Sequence, residues 1–273
     1  MSALYIIGIG LNNKSLTHQG NALIESSDEV YIENYTSKTG YNLSELENFV
    51  GKTIKPVGRY DVEGEENHIL NSAETKKVSL LIIGDIFAAT THQDLYIRAL
   101  KKKIHVTLVN NASIFNHIGN TGIDQYKFGR VTSLVFTEPN WFPLSPYENI
   151  MKNQSIGLHT ICLFDIKTAE PTKEDILTGN KKPQKPRFMN VKEAIDYIET
   201  ADKKTGNNVL KKDKKIIIIS NAGLPNEKIT YDTPQKIKQI DCGEPLYTMI
   251  IPGNISHYEK ENIETIVKHH NIY

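Results

Sequence analysis

The feature that most constrains this chain is a series of short β-branched runs in its first half, at residues 4–9, 30–32, 78–83 and 104–109, each bounded by polar or turn residues. Helix-period segments lie between them. In one, Asn42 and Glu45 have the spacing of a capping box, and Leu43, Leu46, Phe49 and Val50 fall on one face. Strands that alternate with helices pair in parallel, because each crossover helix returns the chain to the same edge direction. The first half is therefore predicted to be a parallel α/β sheet. The second half carries strand-like runs at 131–137, 159–166, 215–220 and 246–251, separated by longer and less uniform connections, which predicts a second α/β domain with a mixed sheet.

Local signals refine that division. Asn190 and Glu193 form a second capping-box pair, ahead of a buried stripe of Val191, Ala194, Ile195 and Ile198. The Pro- and Lys-rich stretch 168–188 and the aperiodic stretch 201–215 read as exposed loops. A last helix is expected after Ser256, burying Ile263, Ile266 and Val267. An apolar strand stops at Asn110 and Asn111, so the domains are expected to be 1–110 and 111–273. Ligands of α/β folds favour strand carboxyl ends and domain seams, which points to the residues just after Ile9, Ile83 and Val109.

Composition narrows the partners. The 32 basic and 32 acidic side chains cancel, so no one-signed field gathers nucleic acid or anionic membrane, and a protein or small molecule is the expected partner. The two cysteines, Cys162 and Cys242, lack a second sulfur or histidine at ligand spacing. They read as reduced thiols of a cytoplasmic protein, and no metal is expected. No apolar run approaches the roughly 20 residues that span a bilayer. The N-terminus runs straight into strand-like sequence without a leader pattern.

Three strand-end motifs carry the chemistry, each with two readings. Gly8, Ile9, Gly10 and Leu11 follow a strand, but Asn13 stands where a dinucleotide fingerprint needs glycine, and Glu33 alone does not supply the rest. That leaves a tight turn or a close backbone approach to a flat ligand. The segment 84–92 (GDIFAATTH) places Asp85 after a buried strand. Its carboxylate can take hydrogen bonds from ribose hydroxyls or an ammonium, or merely tie off a loop, while Thr91 with Asp94 suits a helix cap. In the segment 110–114 (NNASI), small and amide side chains suit either nucleoside recognition or a linker.

Taken together, LYIIGIGL, VYIENYTS, GDIFAATTH, NNASIFNHIGNTGIDQYKFG, GLHTICLFDIK, PRFM and CGEPLYTMIIPG follow the order and approximate spacing of the diphthine synthase family, so the chain resembles that family over most of its length. The resemblance implies a tetrapyrrole methylase-like fold of two α/β domains with S-adenosylmethionine in the cleft between them, commonly as a homodimer. It implies methylation of a 3-amino-3-carboxypropyl group on a histidine of translation elongation factor 2, with S-adenosylhomocysteine as the product. Three methyl transfers give diphthine in the archaeal kind and four give its methyl ester in the eukaryotic kind, which PQKPRFMNVKEAIDYI favours. A cofactor-binding protein of the same fold without turnover, and a methylase of a tetrapyrrole-type small molecule, are the alternatives.

The resemblance also implies that cofactor contacts come from Leu11, Asp85, Ala88, Ser113, Ile114, Phe164, Ala222 and Tyr247. Where the family usually reads GDPFGATTH this chain has Ile86 and Ala88, and where it reads GEPLH this chain has Tyr247. Alanine at a left-handed glycine position costs about 1–2 kcal/mol. The same alanine methyl can instead crowd the cofactor. A sulfonium already activates its methyl group, so the reaction requires alignment and exclusion of water, with no nucleophilic side chain. His92 and His159 are the candidate bases, and solvent is the third.

Overall fold

β1 (Ala3–Gly8) is buried along its whole length, as a strand covered on both faces must be. Its side chains divide by parity. Leu4 and Ile6 join one core and Ala3, Tyr5 and Ile7 the other, because successive residues of a strand point to opposite faces. The computed structural model describes residues 2–65, 67–167 and 186–270. After β1 come α1 (His18–Glu25), β2 (Glu29–Glu33), α2 (Leu43–Val50), β3 (Lys55–Val57), α3 (Arg59–Glu63), α4 (His68–Ala73), β4 (Lys77–Ile82), α5 (Gln93–Lys101) and β5 (Val106–Val109). The strands form one five-stranded sheet in the order β3-β2-β4-β1-β5, every pair parallel. α1 and α2 supply Ile24, Leu46 and Val50 to one face, whereas α3, α4 and α5 supply Val62, Ile69, Leu70, Leu95 and Ala99 to the other. Each fully buried Leu or Ile contributes on the order of 1.5–3 kcal/mol.

The chain divides into two compact units, Met1–Phe115 with Ile166–Arg187, and Asn116–Asp165 with Phe188–Tyr273. Asn110 and Asn111, which the sequence suggests as the seam, are fastened to the first unit by hydrogen bonds to Gly8, Ser15 and Asp85. The short helix α6 (Ile114–His117) runs across the change of unit. There follow β6 (Thr132–Leu134), α7 (Ser145–Ser155), β7 (Thr160–Phe164), the ribbon strands β8 (Ile166–Lys167) and β9 (Arg187–Phe188), α8 (Val191–Thr205), β10 (Ile216–Ser220), β11 (Lys228–Asp232), α9 (Pro234–Ile237), β12 (Tyr247–Ile251) and α10 (His257–His270). The second sheet has the order β11-β10-β12-β7-β6 and is mixed, with β6 and β7 parallel and the other pairs antiparallel. α7, α8 and α9 cover one face of it, around Cys162, Ile216, Ile218 and Met249.

The capping box at Asn190 forms in both directions, and Val191, Ala194, Ile195 and Ile198 are buried as expected. The one at Asn42 does not. Asn42 makes no side-chain cap bond, and Glu45 accepts from Asn13 Nδ2 at 3.1 Å. Phe49 is 60% exposed, because the inward line of α2 runs through Leu43, Leu46 and Val50 and leaves it to one side. The stretch 201–215 is less loop-like than its composition suggests. α8 continues to Thr205, and Val209 and Leu210 are buried where Asp202 accepts both of their N–H groups. Of the three apolar residues expected inside α10, Ile263 is fully buried and Ile266 and Val267 partly so. β3 and β11 have no clear signal in the sequence. Most of the Pro- and Lys-rich stretch, 168–185, lies outside the described residues.

Candidate functional site

In the first unit the loops after β1, β4 and β5 meet at the strands' carboxyl ends. Gly10 and Gly84 exchange backbone hydrogen bonds, 3.1 Å from Gly10 N–H to Gly84 O and 2.9 Å in return. A Cβ on Gly8 would lie 2.7 Å from the Gly84 carbonyl oxygen and 3.1 Å from Asn111 Cβ, so close approach alone demands glycine there. Asn111 donates through Nδ2 to the Gly8 and Ser15 carbonyls, both at 2.9 Å, which pulls the third loop against the first. Asp85 completes the junction. Its Oδ1 accepts from Phe87 N–H at 3.0 Å, and its Oδ2 accepts from Asn110 Nδ2 at 2.9 Å and Asn111 N–H at 3.1 Å. Burial raises the carboxyl's pKa, but those donors together hold it below the usual aspartate range. Asp85 is thus an ionised clamp between two loops, and Oδ1, which takes one of these three bonds against two at Oδ2, has capacity for a further donor.

Ser113 is buried and lies beside Gly84, 3.7 Å from where a Cβ of that glycine would stand. Asp85, Ser113 and the Gly10 turn are therefore brought together. Leu11, Ala88 and Ile114 are half-buried on the flanking loop positions and at the start of α6. Two expectations for this loop are corrected. The left-handed residue is Ala89, at φ 60°, and Ala88 is outside that region, so a strain account belongs one position later. Thr91 does not cap α5: its hydroxyl donates to Glu63, and His92 occupies the cap position without a side-chain bond to the helix, its Nε2 lying 3.4 Å from the Tyr35 hydroxyl. Glu33, at the end of β2, is fully buried with Oε2 accepting from the N–H groups of Tyr35 (3.1 Å) and Thr36 (3.0 Å). Burial raises its pKa, and the carboxylate serves its own turn.

In the second unit Phe164, Ala222 and Tyr247 gather at one end of the mixed sheet. Phe164 is the last residue of β7 and Tyr247 the first of β12, on adjacent antiparallel strands, with ring centroids 6.1 Å apart at 49°. Ser220, the last residue of β10, pairs with Tyr247, and Asn221 N–H donates to Leu246 O at 3.1 Å, so Ala222 follows directly from this contact. The Tyr247 hydroxyl donates to the Gly243 carbonyl and closes the CGEPLY turn. Gly243 has φ 89°, and a Cβ there would lie 2.3 Å from Ser220 Oγ, so both backbone angle and space exclude other residues.

Neither histidine proposed as a base is placed for that role. His159 is fully buried at the other end of β7, with Nδ1 accepting from Gly253 N–H and Nε2 bonded to Glu259 Oε1, both at 2.8 Å. Both ring nitrogens are committed. His92 is buried, and burial pushes its pKa down to about 4, so it is neutral but screened from solvent. Sequence reasoning misses the hub that holds His159. Glu259, 4% exposed in the first turn of α10, also accepts from Lys127 Nζ at 2.5 Å, Ser256 N–H at 2.8 Å and Asp124 N–H at 3.2 Å. Burial raises this carboxyl's pKa, but Lys127, Ser256 and His159 outweigh it and bring the group to about 2. Its partners are remote in the chain, so only the local Ser256–Glu259 spacing was visible. Among the described residues no cluster of His, Cys, Asp and Glu has the arrangement of a metal site, and no helix is long and apolar enough to cross a membrane.

The chain matches the family model of the tetrapyrrole (corrin/porphyrin) methylases over residues 3–238. It is 37% identical over 256 residues to the diphthine methyl ester synthase of Saccharomyces cerevisiae, covering 93% of this chain and 85% of that one. It is 35% identical over 259 residues to the diphthine methyl ester synthase of Homo sapiens, covering 93% and 91%. A solved structure of a diphthine synthase superposes with a TM-score of 0.82 at 28% identity, covering 98% of this chain and 96% of that one.

Proposed function

Because the chain belongs to the tetrapyrrole (corrin/porphyrin) methylases and is a methyltransferase, we propose that it acts in diphthamide synthesis, methylating the 3-amino-3-carboxypropyl-histidine of elongation factor 2 from S-adenosylmethionine. The observation that carries this reading is the identity of 35–37% to proteins named diphthine methyl ester synthase, spread over 93% of the chain and so over both sheets. We assign four methyl transfers, the last to the carboxylate, a cytoplasmic location and a homodimer.

The residues present fit the cofactor. Gly10, Gly84, Ala88 and Ser113 keep side-chain bulk low where three loops meet, while Asp85 offers ionised oxygens for hydroxyl or ammonium donors. We assign cofactor contacts to Leu11, Asp85, Ala88, Ser113 and Ile114 of the first unit and to Phe164, Ala222 and Tyr247 of the second. When bound, S-adenosylmethionine supplies a methyl group already activated by its sulfonium. The chain's own contribution is to bind, orient and exclude water. Asp85 keeps its charge and orientation through the Phe87, Asn110 and Asn111 donors, so it is preorganised before any ligand arrives. Phe164 and Tyr247 give an aromatic surface whose geometry the Gly243 bond fixes. The substrate amine must lose a proton before it attacks, since an ammonium has no lone pair. With His159 committed on both nitrogens and His92 buried, we assign that proton to solvent.

The test is mass spectrometry of elongation factor 2 taken from cells lacking this methylation step, after incubation with the chain and labelled S-adenosylmethionine. Four added methyl groups are expected. Three would remove the ester assignment, and cofactor binding without transfer would leave a binding protein.

A further inference from the structure

The turn that carries Ala222 is held from outside itself. Asn221 leaves β10 with φ 50°, a left-handed conformation that asparagine tolerates better than most residues, and Leu224 N–H closes the turn on Asn221 O at 2.9 Å. Glu227 then reaches back. Its Oε2 accepts from Gly223 N–H at 2.6 Å and is also bonded to Nε2 of His117. Both side chains are nearly out of water, at 13% exposed for His117 and 10% for Glu227. Burial raises the Glu227 pKa, but the His117 bond and the Gly223 N–H bring it below the ordinary glutamate range. His117 is the last residue of α6, the helix that opens with Ile114. One buried carboxylate thus ties the backbone beside Ala222 to the end of the helix beginning at Ile114. Because a buried charge without its partner is costly, the bond to His117 keeps Glu227 turned toward Gly223.

We infer that Glu227 and His117 are positioning residues of the methyltransferase site, whose pairing holds residues 221–223, and with them Ala222, in the conformation that accepts S-adenosylmethionine. This rests on the proposed function above. Neither side chain is assigned to touch the cofactor. They act through the backbone, so the effect of removing them should fall on cofactor affinity and on the KM for S-adenosylmethionine more than on kcat at saturation.

The test is calorimetric titration of S-adenosylhomocysteine into the wild-type chain and the variants His117→Leu, His117→Gln and Glu227→Gln, with thermal unfolding followed in parallel. His117→Leu removes the donor and should weaken binding roughly 10- to 100-fold, the range that loss of an orienting partner or a small misplacement produces. His117→Gln restores a donor of similar reach and should bind within about threefold of wild type, the threefold being about 0.65 kcal/mol at 25 °C. A purely structural role would lower thermal stability in all variants without separating the leucine from the glutamine variant in affinity. Binding by His117→Leu within about threefold of wild type, or equal losses in His117→Leu and His117→Gln, would overturn the inference. Should His117→Leu fail to fold, Glu227→Gln decides: it keeps an acceptor for Gly223 but loses the charge, and unchanged affinity there overturns the inference equally. If the wild-type chain binds no S-adenosylhomocysteine, the proposed function falls first and this inference with it.

Discussion

Replacing Glu259 with glutamine removes one charge from a side chain that is 4% exposed and keeps its shape. The carboxylate accepts from Lys127, His159, Ser256 and Asp124, and His159 must donate through Nε2 because its Nδ1 accepts from Gly253. An amide cannot match this: with its oxygen turned to His159, its NH2 faces Lys127 and Ser256, which are donors too. The magnitude follows from ionisation. The folded pKa of about 2 against an ordinary 4.5 makes the ionised form worth roughly 3 kcal/mol at 1.36 kcal/mol per pH unit. Because the folded value is depressed, this stability is present in full above about pH 4.5 and is lost as pH falls toward 2. The same arithmetic leaves less than half of it at pH 3. Breaking a buried charge pair gives a similar figure, about 3–5 kcal/mol. Urea unfolding followed by the fluorescence of Trp141, the single tryptophan and in the same unit, measures both quantities. Glu259→Gln should lose about 3 kcal/mol at pH 7, and less than half of that should remain at pH 3. A loss below about 1 kcal/mol, or one that does not change between pH 7 and pH 3, would refute the reasoning.

Other outcomes follow from the strand-end loops. Ala89→Gly should raise stability by up to about 1 kcal/mol, since relief of a left-handed alanine exceeds the added freedom of the unfolded chain; Ala88→Gly should lower it, and differential scanning calorimetry distinguishes them. Asp85→Ala should weaken S-adenosylhomocysteine binding by about 1.5–3 kcal/mol and also reduce thermal stability, because three donors lose their acceptor; unchanged affinity by calorimetry would leave Asp85 as a loop tie only. The stability Asp85 lends should fade in acid, as pH falls through its lowered folded pKa. Tyr247→Phe removes the bond to Gly243 and should cost about 0.5–1.5 kcal/mol of stability with affinity within about threefold of wild type; a tenfold loss of affinity would mean that the hydroxyl itself meets the ligand.

The parallel sheet was legible because β1 and β4 are covered on both faces and so read as continuous apolar runs that no surface strand would tolerate. The helix at Asn190 was legible for a different reason, since both halves of its cap lie within four residues. The identical pattern at Asn42 misled, because Asn13 offers Glu45 another partner from a distant loop. Asp85 was found by its place after a buried strand, yet nothing in the sequence told that Asn110 and Asn111 already bind it. The hubs at Glu227 and Glu259 were hidden for the same reason: His117, Lys127 and His159 are brought to them by the fold across long sequence separations. Sequence periodicity records burial along one element. It does not record which buried charge another element will answer.

The position of β12 at the centre of the second sheet imposes an order on synthesis. The first sheet is complete once Val109 has been made, because all five of its strands precede that residue. In the second, β7 and β10 both pair with β12, whose residues are 247–251, and neither pairs with the other. A nascent chain therefore carries β7 and β10 each with one open edge until residues 247–251 have been translated. Those edges present unpaired backbone groups to any other strand nearby. During translation these two edges need protection from neighbouring strands, and the arrival of one short strand closes both at once.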